Sequence, residues 1–148
     1  MEFEVTDIKN YIPQKKVHLV ISLHACNTAT DEAIAFAINN NVEAVVAVPC
    51  CQQEILSQYS FKPFESIIKY GVLKARMADI ITDGIRAILL EASGYKVSVV
   101  EYISPIDTPK NLMIRVQKLR EKNNKMLEEY KILKKMLNIE PSLEKFIL

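Results

Sequence analysis

The chain has 148 residues, of which 49% are hydrophobic and 25% are charged, and its formal net charge is +1. This length suits one domain with a real core, and the near-neutral charge excludes a molecule whose whole surface attracts nucleic acid. No apolar run reaches the length of a membrane span, and residues 1–7 lack the pattern of a secretory signal. Because the three cysteines have no disulfide-framework spacing, we expect a reducing, cytoplasmic location and no membrane association.

The first half of the chain alternates between strand and helix signals. Residues 2–6 alternate weakly in hydrophobicity and predict a short strand. The apolar runs 17–23 and 42–48 are nearly continuous, as in strands buried within a parallel sheet. Between them we expect a helix that begins with Thr30 as its N-cap and ends at Asn39.

The second half continues this alternation. Residues 64–92 form a long helical zone with a break near Gly71, and strands are expected over 95–103 and 111–118. The short loop between these two strands predicts an antiparallel hairpin at one edge of the sheet. Residues 121–139 predict a last helix. The order indicates an α/β fold with a mostly parallel sheet and helices on both of its faces.

Two charged regions have a structural interpretation and a functional one. The stripe formed by Arg76, Asp79, Asp83 and Arg86 is interpreted as a solvated helix face rather than a substrate contact. Residues 115–135 contain eight Lys or Arg residues against three Glu residues. This excess favours a basic amphipathic helix packed on the domain over a surface that steers RNA.

Polar side chains follow each of the two central apolar runs. His24, Cys26 and Asp31 follow the first run, and the segment Cys50, Cys51 and Gln52 follows the second. Parallel strands end at the same edge of a sheet, where α/β folds bind ligands. We therefore expect the two segments to share one rim and to face a common cavity.

Each of these residues has more than one role open to it. His24 either orients or deprotonates a substrate hydroxyl, or it is a hydrogen-bonded turn residue. Asp31 either orients His24 or begins the helix. The two adjacent cysteines are expected to line the pocket rather than to act as nucleophiles, while Gln52 either holds a ligand or lies in a solvated turn. The spacing of His24 and the cysteines does not match structural zinc sites, so we expect no metal.

Five motifs in order resemble class I S-adenosylmethionine-dependent methyltransferases, over about residues 2–118. They resemble, more narrowly, a methyltransferase family with Leu-His-Ala-Cys and Pro-Cys-Cys-Gln motifs, related to enzymes that methylate ribose in transfer RNA. The segments that carry the resemblance are Leu23-His24-Ala25-Cys26 with Thr30-Asp31, Pro49-Cys50-Cys51-Gln52, Arg76-Met77-Ala78-Asp79 with Thr82-Asp83 and Arg86-Ala87, Gly94-Tyr95, and residues 108–115.

The resemblance implies a Rossmann-like sheet of seven strands, of which the chain would hold about five. Residues 2–6 would be strand three, and strands one and two would be missing. The glycine-rich turn that meets the cofactor would also be missing, because none of the three glycines follows a strand and opens a helix. The expected organisation is a partial methyltransferase domain over residues 1–118 and a basic amphipathic helix over 119–148 packed on it.

The resemblance also implies a cofactor, a substrate class and residue roles. The complete enzyme would transfer a methyl group from S-adenosylmethionine, with RNA as a candidate acceptor. The roles that follow are catalytic for His24, Cys26 and Asp31, substrate-binding for Cys50, Cys51, Gln52, Lys110 and Asn111, and cofactor-binding for Asp7. Lys110 and Asn111 would either bound the pocket entrance or close the edge hairpin.

Two expectations concern partners. The alternative function is a non-catalytic remnant or partner subunit that retains the fold without binding cofactor. With strands one and two missing, the strand over 17–23 would have an unpaired apolar edge, and such edges tend to pair. Residues 2–6 would then dock on that edge or detach, and the edge would pair with the missing N-terminal half or with a second copy of the chain.

Overall fold

The computed structural model describes residues 4–119 and 121–147. Within those residues, no helix is both long enough and apolar enough to cross a lipid bilayer. The elements form one mixed sheet with helices packed against it.

The sheet contains four strands, in the spatial order β1-β2-β4-β3. The strands are β1 (Leu19–Leu23), β2 (Ala44–Val48), β3 (Tyr95–Glu101) and β4 (Leu112–Lys118). Strands β1 and β2 are parallel, whereas β4 runs antiparallel to both β2 and β3. The predicted antiparallel hairpin at the sheet edge is thus confirmed, with its second strand on the inner side.

The strand count and the direction of the strands correct the sequence prediction. We expected about five strands in a mostly parallel sheet, but the described residues contain four, and only β1 and β2 are parallel. Residues 4–6 form no strand, and the rest of the strand predicted over 2–6 lies outside the described residues. A weak alternation over only five residues does not by itself specify a strand, and residues 4–6 do not pair with the available edge of β1.

Two helices cover the sheet, and the other helices pack on those two. The helices are α1 (Thr28–Asn39), α2 (Gln53–Gln58), α3 (Glu65–Ile68), α4 (Gly71–Ala92), α5 (Asn124–Leu137) and α6 (Ser142–Ile147). The predicted break near Gly71 is confirmed, since α4 begins there. Thr30 is not the N-cap of α1, because Asn27 takes that position and the Thr30 hydroxyl donates a hydrogen bond to the carbonyl oxygen of Ala25, at 2.6 Å.

The core lies on one face of the sheet. Val45, Ile114 and Val116 project from the central strands into a cluster that includes Ile34 of α1 and Leu90 of α4. On the opposite face of β1, Leu19, Ile21 and Leu23 are 49–61% exposed. The expectation of helices on both faces is therefore wrong for β1 in the described part of the chain. Strand β1 also pairs only with β2 there, which leaves its outer edge open.

The C-terminal helices extend this core on the helical side. Helix α5 packs on α4, and α6 packs on α1. Tyr130 of α5 is fully buried, and its hydroxyl donates a hydrogen bond to Glu144 of α6, at 2.8 Å. Burial, reinforced by this hydrogen bond, raises the pKa of Tyr130 well above its ordinary value. The tail helix predicted over 121–139 is confirmed as α5, and a second helix that was not predicted, α6, follows it after Pro141, which is buried.

Candidate functional site

The parallel pairing of β1 and β2 brings the two polar segments together. Leu23 lies opposite Val48 in the ladder, and the His24 amide extends the ladder with a hydrogen bond to the carbonyl oxygen of Val48, at 2.9 Å. The segments that follow β1 and β2 therefore leave the sheet at the same level. The turn from β1 to α1 and the turn from β2 to α2 form one surface, which we call the rim, made of residues 24–31 and 50–52.

Three thiols meet at the centre of the rim. The Cys26 sulfur lies 3.5 Å from the Cys50 sulfur and 3.6 Å from the Cys51 sulfur, and 3.8 Å separates the sulfurs of Cys50 and Cys51. Burial, together with hydrogen bonds from Cys26 and Cys51, raises the pKa of Cys50 to about 12. A catalytic thiol needs a lowered pKa, so the raised pKa of Cys50 gives no support to a role as a nucleophile.

The turn after β1 has an unusual backbone. His24 and Asn27 both have positive φ angles, of 52° and 53°. The ψ angle of Asn27 is −123°, which puts it in a region that glycine normally occupies. Its side-chain oxygen accepts a hydrogen bond from the Glu54 amide of α2, at 3.1 Å, which ties the two turns together. His24 is exposed at the start of this turn.

Arg86 of α4 holds the rim from beneath. Its guanidinium donates two hydrogen bonds to the carboxylate of Asp31, at 2.7 and 3.1 Å, and one to Asp83, at 3.0 Å. A fourth hydrogen bond, at 3.1 Å, goes to the carbonyl oxygen of Asn27. Arg86 is only 1% exposed, and both carboxylates are buried. Asp31 lies in the first turn of α1, and its hydrogen bonds go to Arg86.

This network continues to the second predicted segment and to the hairpin loop. The Gln52 amide donates a hydrogen bond to Asp83, at 3.2 Å, and its side-chain oxygen accepts one from the Lys110 ammonium, at 2.9 Å. Lys110 also forms an ion pair with Asp79 of α4. Gln52 is buried, so it does not lie in a solvated turn. The chain of contacts joins four elements into one polar layer under the rim.

The charged stripe of α4 therefore differs from its sequence interpretation. Asp83 and Arg86 are buried, whereas Arg76 is exposed. Sequence reasoning missed Arg86 as the residue that joins α4 to the rim. A signal was present, because Thr82-Asp83 and Arg86-Ala87 belong to the motifs that carry the resemblance. Helical spacing alone does not say whether a charged face meets water or another buried charge.

Burial governs the ionisation of these groups. It raises the pKa of Asp31 and of Asp83, and Arg86 opposes that rise in both cases. Burial disfavours the charged form of Arg86, but hydrogen bonds and charge from Asp31, with Asp83, outweigh it and raise the pKa of Arg86. The raised pKa values of Asp31, Asp83 and Arg86 have a common physical cause. Two carboxylates around one guanidinium carry a net negative charge, which favours holding a proton.

The other predicted site residues lie apart from the thiols. Asn111 is buried and its amide donates a hydrogen bond to the carbonyl oxygen of Ile103, at 2.8 Å, so it closes the β3–β4 loop. Asp7 is exposed in the loop before β1 and accepts a hydrogen bond from the Lys9 amide, at 3.1 Å. Three surface cavities of 510–610 Å³ lie elsewhere, and the rim residues line none of those three.

Comparison with known proteins gives one match. Residues 1–58 match the model of a family described as a methyltransferase domain. The matched stretch ends at the last residue of α2, so it contains the whole rim. This match supports a methyltransferase family. No curated protein and no solved structure matches the chain.

Proposed function

We propose that this chain supplies the substrate-facing part of an S-adenosylmethionine-dependent methyltransferase. The observation that carries the proposal is the family match, because it covers both strands and both turns that build the rim. Methyl transfer is an in-line displacement at a sulfonium, and much of its catalysis comes from positioning the two reactants. A rigid rim held by a buried ion-pair network suits that task.

The proposed roles follow from where each side chain lies. His24 and Cys26 are exposed on the rim and orient the acceptor group, with the His24 imidazole positioned to accept its proton. Asp31 acts through Arg86 as a positioning residue, since its carboxylate binds the guanidinium. Cys50 and Cys51 form the facing wall, and Gln52 couples that wall to Lys110.

The cofactor half of the site is proposed to come from elsewhere. Gly71 begins a helix after a turn, Gly84 lies within α4, and Gly94 precedes β3, so none forms a strand-to-helix turn. A pyrophosphate- or methionine-binding turn of this fold needs glycine for close backbone approach. Asp7 remains the proposed residue near the adenine. The same lack of a glycine-rich turn favours the alternative function, a partner subunit that binds no cofactor itself.

Titration calorimetry with S-adenosylmethionine tests this division of the site. We expect the isolated chain to show no saturable binding in the micromolar range. The same chain, tagged and purified natively with the polypeptides that accompany it, should transfer labelled methyl groups from S-adenosylmethionine to RNA, and His24→Ala should reduce that transfer. Micromolar binding by the isolated chain would contradict the proposed division. A native preparation without any methyl transfer would favour the non-catalytic partner subunit.

RNA is proposed as the acceptor from the resemblance to ribose-methylating enzymes. The basic helix adds less support than its composition suggested. Lys125, Lys131 and Lys134 of α5 each form ion pairs with glutamates on α5, α6 or the segment between them. A methyl acceptor in another class of molecule would appear in the same labelling experiment as incorporation outside the RNA fraction.

The open edge of β1 is proposed to bind a second copy of the chain or a cofactor-binding segment. Its exposed apolar face and its unpaired backbone groups are features that natural sheets usually cover. We expect concentration-dependent association in sedimentation velocity, and we expect Ile21→Lys to weaken it. Val99→Lys, on the exposed part of β3, is the matched control. A chain that sediments as a monomer at every concentration would contradict association through this edge.

A further inference from the structure

The three thiols of the rim lie close enough together to bind a single metal ion. All three sulfur atoms lie within 4.8 Å of one another. The individual separations are 3.5, 3.6 and 3.8 Å. Two ligands of a tetrahedral zinc ion with Zn–S bonds of about 2.3 Å lie about 3.8 Å apart. The sulfurs therefore already stand close to the spacing of three corners of such a tetrahedron.

The sheet builds this arrangement before any ion binds. Cys26 comes from the turn after β1, while Cys50 and Cys51 come from the turn after β2. The register of the parallel pair fixes the height of both turns, and the Asn27–Glu54 hydrogen bond ties them together. This explains why the sequence spacing gave no zinc signal, since the ligands converge through strand pairing rather than through a local Cys-X-X-Cys loop.

Neither a disulfide nor apolar packing accounts for all three thiols of the cluster. A disulfide joins only two sulfurs, at about 2.05 Å, and leaves the third thiol beside it. Apolar packing explains buried cysteines, but Cys26 is exposed. Three thiolates together select soft or borderline ions such as Zn²⁺ over Mg²⁺ or Ca²⁺.

We propose that Cys26, Cys50 and Cys51 form a binding site for one Zn²⁺ ion, with its fourth position open to water or to a bound ligand. Among the described residues, the group of metal-ligating atoms contains only these three sulfurs. The exposure of Cys26 gives solvent access to the fourth position. A site with three protein ligands and one open position is the arrangement of catalytic rather than structural zinc. This inference does not rest on methyltransferase activity.

Metal titration of the reduced, chelator-treated chain tests the proposal. We expect one Zn²⁺ per chain in competition with a chromophoric chelator. Co²⁺ should give the intense visible bands of tetrahedral coordination and thiolate charge-transfer bands. Each of Cys26→Ser, Cys50→Ser and Cys51→Ser should weaken zinc binding by more than the roughly 10- to 100-fold that loss of an outer-shell partner costs. His18→Ala, just before β1 and at the opposite end of that strand from the rim, should leave the affinity unchanged.

A measurement on the unmodified chain keeps the test independent of folding defects in the variants. The chain has three cysteines, so a thiol reagent reports on this site alone. Equimolar Zn²⁺ should slow the reaction of all three thiols. Equal thiol reactivity with and without Zn²⁺ would overturn the proposal. A large loss of affinity in His24→Ala would overturn the open fourth position.

Discussion

Arg86→Met is expected to lower the free energy of unfolding by about 3–5 kcal/mol, the cost of breaking a buried ion pair by removing one partner. Arg86 is 1% exposed and is the cation shared by Asp31 and Asp83. Methionine fills a similar volume, so the loss comes from two buried carboxylates without their partner rather than from a cavity. Chemical denaturation of both proteins at pH 7 measures the difference.

The loss from Arg86→Met should depend on pH in a defined direction. Burial already raises the pKa of Asp31 and Asp83 in the folded chain, and Arg86 limits that rise. Without Arg86, we expect both pKa values to rise further. Above about pH 4, the folded variant holds protons that the unfolded chain has released, so its stability falls as the pH rises. The deficit relative to wild type should therefore grow from pH 4 to pH 7 and shrink on acidification.

Two further variants identify the cause. Arg76→Met removes an exposed arginine from the same helix and should change the stability by no more than about 0.5 kcal/mol. Asp83→Asn in the Arg86→Met background removes one of the two unpaired charges and should recover part of the loss. A pH-independent deficit, or no recovery in the double variant, would show that packing rather than charge is responsible.

Asn27→Ala is expected to cost about 2 kcal/mol, while Asn27→Gly should stay within about 1 kcal/mol of wild type. Alanine is strained at a φ of 53° and a ψ of −123°, whereas glycine adopts this conformation freely. Both substitutions lose the hydrogen bond to the Glu54 amide, worth about 1 kcal/mol. Thermal unfolding of the two variants separates the backbone contribution from that of the side chain.

Asn138 provides the matched control for Asn27. It is an exposed asparagine with a φ of 55° and a ψ of 53°, within the ordinary left-handed region that non-glycine residues reach more easily. Asn138→Ala should therefore cost less than Asn27→Ala. If Asn27→Gly proved as damaging as Asn27→Ala, the hydrogen bond between the two turns would be the main contribution and backbone strain a minor one.

Local pattern predicted the elements better than it predicted their arrangement. The strands predicted from the apolar runs at 17–23 and 42–48 are present, and so is the helical break at Gly71. Each of these features is determined by residues close in sequence. The sheet direction was predicted less well, since strand pairing depends on contacts between distant segments. Exposure of Leu19, Ile21 and Leu23 was also not foreseen, because an apolar run gives no sign of which face a helix will cover.

The sequence likewise predicted some features of the candidate site and missed others. The sequence placed Cys26 and Cys50 at the ends of neighbouring strands, and the structure brings their sulfurs within 3.5 Å. It did not reveal that Asp31 binds Arg86, because 55 residues separate the two and neither position alone signals burial. The positive φ angle of Asn27 was equally hidden, since asparagine is common in ordinary turns as well.

The strand order also constrains how the sheet forms while the protein is being made. Strand β4 fills the place beside β2, yet it begins about 60 residues after β2 ends, and a ribosome adding about 5–20 residues per second needs roughly 3–12 s for that stretch. During this interval the nascent chain carries β2 with one side of its ladder vacant. The vacant side of β2 is filled only after β4 has emerged, so slow translation between Val48 and Leu112 prolongs the period in which misassociation competes with folding.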